Sequence, residues 1–150
     1  MKRFLSFFLV ALLFACTFSV AAVAASKDQL ISTSVEYLED GSYFVTDVYE
    51  SAVQPFTGKT GSKSSTYYGA DGTKYFVVTV NGTFSYVYGS SVGATGATAT
   101  VGIYSNTISY VSKNAYTREA SAYAVGTVRH LGDNITRTVV LTCDKYGNLS

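Results

Sequence analysis

The chain lacks most of the residues on which protein chemistry is commonly built. Its 150 residues include no tryptophan, one methionine, one proline, one histidine and two cysteines, and only 14% of positions are charged. A lone histidine, His130, excludes a metal site with two histidine ligands inside one chain. A serine triad would have to use that same ring, and no strained G-x-S-x-G turn accompanies it. The charges are scattered without a run of one sign, so no basic stripe exists to neutralise phosphates or meet an anionic membrane surface. Nucleic acid therefore finds no support as a partner. Beyond residue 25 no stretch of helix formers repeats with a period of 3.6.

The first 25 residues read as an export signal. Lys2 and Arg3 precede a run from Phe4 to Ala15 that is apolar except for Ser6, and small residues follow in Val20-Ala21-Ala22-Val23-Ala24-Ala25. Ala22-Val23-Ala24 fits the cleavage pattern and puts the mature start near Ala25 or Ser26. The apolar run is shorter than the ~20 residues of a spanning helix. An alternative route uses Leu13-Phe14-Ala15-Cys16, which resembles a lipobox whose cysteine is lipidated, although Phe14 is bulky for that motif. Secretion is thus the expectation, with a lipid anchor through Cys16 at the cell surface as the alternative. Losing Lys2 and Arg3 from 11 Lys plus Arg leaves a formal charge of −1 against 10 Asp plus Glu. Only Cys143 remains after cleavage, so no internal disulfide forms; its alternation with Ile135, Val139 and Leu141, with Arg137 on the same side, favours burial in a core, and pairing between chains is the alternative.

What the chain does have is β-forming residues: 13 Tyr, 9 Phe and many Thr and Val, broken by turn signals among 13 Gly. The clearest stretch is Lys74–Tyr88. Read in twos, Phe76, Val78, Val80, Phe84, Tyr86 and Tyr88 share one face, and Tyr75, Val77, Thr79, Asn81, Thr83, Ser85 and Val87 the other. Asn81-Gly82 is a strong hairpin signal, yet a turn there would mix buried and exposed types on each face. The pattern predicts one continuous strand, with Gly82 at a bulge or a close approach.

Around it the chain reads as an antiparallel β-sandwich of about seven to nine strands. Residues 26–33 are expected to be a flexible leader and 34–150 a single sandwich domain. A first hairpin turns at Glu39-Asp40-Gly41-Ser42, and Ser51–Ser65 reads as a long surface connection. Gly89–Thr100 fits a flexible loop or a weak edge strand. Thr107–Ser112 reads as a strand, Lys113–Glu119 as a connection, and Ala120–Cys143 as a last hairpin turning at Leu131-Gly132-Asp133.

Candidate sites are few. His130 with Asp133 and a serine, or a carboxylate pair from Glu36, Glu39, Asp40, Asp47 and Glu50 in the first hairpin, would serve a hydrolase. The plainer reading makes His130 a turn residue and the acids solubilising charge. Asp144-Lys145-Tyr146-Gly147-Asn148 lacks the acidic spacing of a calcium loop and reads as a turn, so no metal or cofactor is expected. Tyrosine is the one enrichment with binding potential, and Tyr67, Tyr68 and Tyr75 are the candidates for an outward-facing ligand surface.

The strings Tyr37-Leu38-Glu39-Asp40-Gly41-Ser42-Tyr43, Thr57-Gly58-Lys59-Thr60-Gly61-Ser62-Lys63 and Leu141-Thr142-Cys143-Asp144-Lys145-Tyr146-Gly147-Asn148-Leu149-Ser150 resemble small secreted proteins of gut-type Firmicutes that consist of domains of unknown function. The resemblance implies a secreted bacterial protein, mostly β, and no particular activity. The sequence therefore leads to an exported sandwich that acts by non-catalytic binding to an extracellular glycan or protein, or as a surface structure. A secreted hydrolase is the alternative, and a secreted antagonist or bacteriocin-like factor a further one.

Overall fold

The computed structural model describes residues 28–51 and 58–150. The signal peptide expected over residues 1–25, with Cys16, lies outside the described residues, as do positions 52–57. The described chain forms eight strands: β1 (Gln29–Tyr37), β2 (Tyr43–Glu50), β3 (Gly58–Tyr68), β4 (Lys74–Val87), β5 (Ser91–Ile103), β6 (Ile108–Arg118), β7 (Ser121–His130) and β8 (Asp133–Thr142). Every pairing is antiparallel. One sheet runs β1-β2-β3-β4-β5 and the other β6-β7-β8, so each is a meander and the chain changes sheet once, between β5 and β6. This is the all-β sandwich that the composition calls for.

β4 is continuous, as its alternation requires. Phe76, Val78 and Val80 are fully buried and Phe84 nearly so, whereas Asn81, Thr83 and Ser85 face solvent. Asn81-Gly82 makes no turn; both residues pair with β3 on one side and β5 on the other. A Cβ on Gly82 would lie 2.9 Å from the Phe84 ring and 2.9 Å from the Ala122 methyl, so glycine is required for close approach, not for turning. Opposite β4 lies the inner face of β7, made of Ala122, Ala124, Gly126 and Val128. Cys143 is fully buried between Leu141 and Leu149 in the same core.

Three segments differ from expectation, each for a physical reason. The leader expected over 26–33 is in fact strand from Gln29 onward, paired with β2. β1 is exposed on all nine residues, and a bulge between Leu30 and Ser32 shifts its register, so no hydrophobic period marks it. The surface connection expected over Ser51–Ser65 is, from Gly58, the central strand β3. Its small residues are demanded by crowding, because a Cβ on Gly61 would meet the Tyr49 carbonyl at 2.6 Å and the Leu149 side chain. The connection expected over Lys113–Glu119 is the second half of β6, laddered to β7 as far as Arg118 opposite Ser121 and mostly exposed. Of the two readings of Gly89–Thr100, the edge strand holds: β5 ends its sheet.

Two measurements test this core. Gly82→Val should lower the urea midpoint by an amount equivalent to about 1–3 kcal/mol, while Thr83→Val on the solvent face should change it little. An unaltered midpoint for the first variant would exclude the close approach of β4 and β7. Burial, reinforced by Asp144, pushes the Cys143 thiol above its ordinary range. Its stabilising contribution is therefore complete below the unfolded thiol pKa of about 8.5 and is lost as pH rises through the raised value. At neutral pH the thiol should react with Ellman's reagent only after unfolding; rapid reaction of the native protein would contradict the burial.

Candidate binding surface

Because Phe44 and Tyr67 point into the core, their strand neighbours Tyr43 and Tyr68 must point outward. The register then assembles a row. Tyr37 pairs with Tyr43, Tyr43 with Tyr68, and Tyr68 with Lys74, so four consecutive strands place one such residue each at the same level. The Tyr43 and Tyr68 rings stack at 5.1 Å and 10°, and Tyr37 tilts against Tyr43 at 5.5 Å. At the far end the Lys74 ammonium lies 3.8 Å from the centre of the Tyr104 ring. Tyr37 is 73% and Tyr104 57% exposed, so the row presents aromatic surface to solvent at both ends. The exposed Tyr37 ring can stack on a flat ligand, while the phenols of the mutually stacked Tyr43 and Tyr68 and the Lys74 ammonium can bond its hydroxyls.

Of the three tyrosines singled out by sequence, only Tyr68 belongs to this row. Tyr67 is 9% exposed and packs against Phe44 and Phe76 at 5.0 and 5.4 Å. A bulge between Tyr67 and Tyr68 leaves Tyr75 without a cross-strand partner in β3, and its ring turns onto Tyr67 and His130. Tyr67, Tyr68 and Tyr75 therefore do not form one surface. Tyr37 and Tyr43 could have been found from the Asp40-Gly41 turn, whose register makes them opposite; Lys74 and Tyr104 depend on the bulge and on β5, which the sequence does not announce.

The residues proposed for catalysis do not assemble into a working group. His130 is opposite Asp133 across the β7–β8 turn, but its ring lies 4.9 Å from that of Tyr75, and among the described residues it has no hydrogen bond to a serine or a carboxylate. Glu36 is opposite Phe44 and shares its inward face, whereas Asp47 is on the outer face, where it accepts a 2.6 Å hydrogen bond from Thr33. Two carboxylates on opposite sides of a sheet cannot flank one bond. Asp144 accepts from the Tyr146 and Asn148 backbone N–H groups and from the Asn148 amide, with the Asn148 bonds the largest cause holding its carboxyl below the usual range. Among the described residues no three His, Cys, Asp or Glu side chains are grouped to hold a metal.

A second feature had no signal in the sequence. The three-stranded sheet faces β3 to β5, and beyond its last strand the inner face of β1, β2 and the adjoining part of β3 forms the floor of an open cleft of about 340 Å³. Ser34, Glu36, Thr46, Lys63 and Ser65 supply that floor, and Arg137 to Val140 of β8 its wall. Arg137 spans the cleft: its guanidinium bonds Glu36 at 2.8 Å and Ser65 at 3.0 Å and lies 4.0 Å above the Phe44 ring. Lys63 is half-buried there with no hydrogen-bonded or ionic partner among the described residues, and burial lowers its ammonium pKa.

The roles of Glu36 and Arg137 are separable. Glu36→Gln breaks a largely exposed ion pair and should cost under about 1 kcal/mol. Arg137→Ala also removes the cover over Phe44 and the donor to Ser65, and should cost about 1–3 kcal/mol. Equal denaturant midpoints for the two variants would reduce Arg137 to an ordinary surface ion pair. Comparison with family models, with curated proteins and with solved structures finds no match to this chain.

Proposed function

We propose that this is an exported, non-catalytic binding protein whose outer tyrosine row takes extracellular carbohydrate. The observation that carries the reading is the alignment of Tyr37, Tyr43 and Tyr68 across three strands, continued by Lys74 and Tyr104. A sheet face needs no such row for stability, because its rings lie opposite the core and two of the five groups are mostly exposed. Neighbouring strands are about 4.8 Å apart, a spacing that sets successive rings under successive parts of an extended, flat ligand. Sugar rings offer such a ligand, with apolar faces to stack and hydroxyls at the rim for the phenols and the ammonium. Export is supported by the basic, apolar and small-residue order of positions 1–25.

The want of any hydrogen bond from His130 to a serine or carboxylate among the described residues, and the placement of Glu36 and Asp47 on opposite faces, favour binding over the hydrolase alternative. The test is a glycan array on the purified protein, followed by titration calorimetry on the best hit. Tyr68→Ala, at the centre of the row, should weaken binding at least tenfold, and Tyr37→Ala severalfold. Tyr67→Phe, in the core, should leave it unchanged. No binding to any glycan, or binding indifferent to Tyr68, would end the carbohydrate reading.

A further inference from the structure

The cleft beside β8 is bordered by strand edges as well as side chains, which sets it apart from the tyrosine row. β8 ends its sheet and β1 ends the other, so each has one edge that no named strand covers. The direction of the β8 backbone follows from its bonds. Cys143 donates to Ala120 on the β7 side, whereas Thr142 both donates to and accepts from Ser150 on the opposite side. The β7–β8 register is unbroken from Ser121–Thr142 to His130–Asp133. In such a ladder every second residue turns its N–H and C=O the same way. Val140 and Thr138 therefore direct their backbone groups away from β7, and both line the cleft.

Leu149 and Ser150 already occupy the first step of this edge, through the Cys143–Leu149 bridge and the Thr142–Ser150 pair. The next steps, at Val140 and Thr138, open over the floor. A fourth strand laid there would extend the small sheet to β6-β7-β8 plus one and cover the inner face of β1 and β2. The floor states what such a strand would carry. It is polar, with three hydroxyls from Ser34, Thr46 and Ser65, and its one acid, Glu36, is engaged by Arg137. Lys63, on this floor, has no counter-ion among the described residues and is held half-buried where a matching anion would be only partly screened.

We propose that the cleft binds an extended segment of a partner protein by strand addition to β8 at Thr138 and Val140, with an acidic side chain of that segment meeting Lys63. Main-chain bonds then supply affinity and the acid–Lys63 pair supplies register and selectivity, the usual division of labour when a sheet edge receives a peptide. The free edge favours a peptide over an acidic sugar, because a sugar would use Lys63 and the hydroxyls but leave the backbone groups of Thr138 and Val140 unmet. Charge complementarity favours a distinct acidic partner over a second copy.

The test uses fluorescein-labelled nine-residue peptides of alternating threonine and valine, with glutamate or lysine at the centre, titrated into the purified protein by fluorescence anisotropy. The glutamate peptide should bind at least tenfold more tightly than the lysine peptide, and its fully N-methylated form should not bind. Lys63→Glu should reverse the preference. Thr138→Pro removes one outward N–H while sparing the β7 ladder and should weaken binding at least tenfold; a thermal melt reports whether it folds, and Lys63→Glu carries the test if it does not. Equal binding of the two peptides, retained binding of the N-methylated form, or no binding of either overturns the proposal. So does polygalacturonate binding that Lys63→Glu abolishes and the glutamate peptide cannot compete, which would assign the cleft to acidic sugars. Concentration-dependent dimerisation blocked by Thr138→Pro would assign it to a second copy.

Discussion

The fold depends on a difference in side-chain size between two facing strands. β4 contributes Phe76, Val78, Val80 and Phe84 to the interior, and β7 answers with Ala122, Ala124, Gly126 and Val128. A Cβ on Gly126 would come within 2.6 Å of Val78 and 2.9 Å of Val101, so the small face of β7 is what lets the large face of β4 be covered completely. Each fully buried Val or Phe is worth about 1.5–3 kcal/mol, and interiors tolerate neither voids nor overlap. Large residues on both strands would hold the sheets apart, and small ones on both would leave a cavity. The two glycines that matter most to the core, Gly82 and Gly126, therefore act through volume and not through turn geometry.

Centring the sandwich on β4 and β7 decides what is left over. A sheet of five strands faces one of three, and the corner between β5 and β6 is closed by the Ala94–Glu119 backbone bond at 2.7 Å. The shortfall is consequently all on the other side, at β1 and β2. There the inner face turns polar within one strand: Phe44 and Val48 are buried, while Thr46 between them is half-exposed and reaches Ser65 at 3.3 Å. Arg137 completes the transition by capping Phe44 with its guanidinium, so the end of the core is a charged lid and not an exposed apolar patch. The cleft thus belongs to the part of the large sheet that the small sheet leaves uncovered, whereas the tyrosine row runs across the outer face from β1 to β4.

The sequence revealed those parts of the fold where one face of a strand is buried and the other wet. β4, the β7–β8 hairpin and the turn at Asp40-Gly41 have that character, and each was legible to within a residue or two. The first half of β1, before Ser34, was not, because both of its faces are exposed and a bulge breaks its period. Most of β3, up to Ser65, was not, because a central strand crowded by Leu149 and Tyr49 is written there in glycine, serine and threonine, which read as a loop. The site was legible only as an excess of tyrosine. Which rings are displayed is a matter of register between strands, and register is a long-range property that local composition does not carry.

The bulge at Tyr67/Tyr68 shows how much one residue of register decides. Without it, Phe76 opposite Tyr67 would be followed by Tyr75 opposite Tyr68, and Tyr75 would enter the outer row. The extra residue instead sends the Tyr75 ring to the inner side, where it fills the gap between Tyr67 and His130 at 5.7 and 4.9 Å, and brings Lys74 opposite Tyr68. One irregularity thereby closes this end of the core with an aromatic ring and converts the fourth member of the row from a phenol to an ammonium. The same ammonium then finds the Tyr104 ring, which packs beside Gly102. Adjacent tyrosines in one short stretch of chain are in this way divided between stability and display, and the division is made by backbone geometry rather than by residue type.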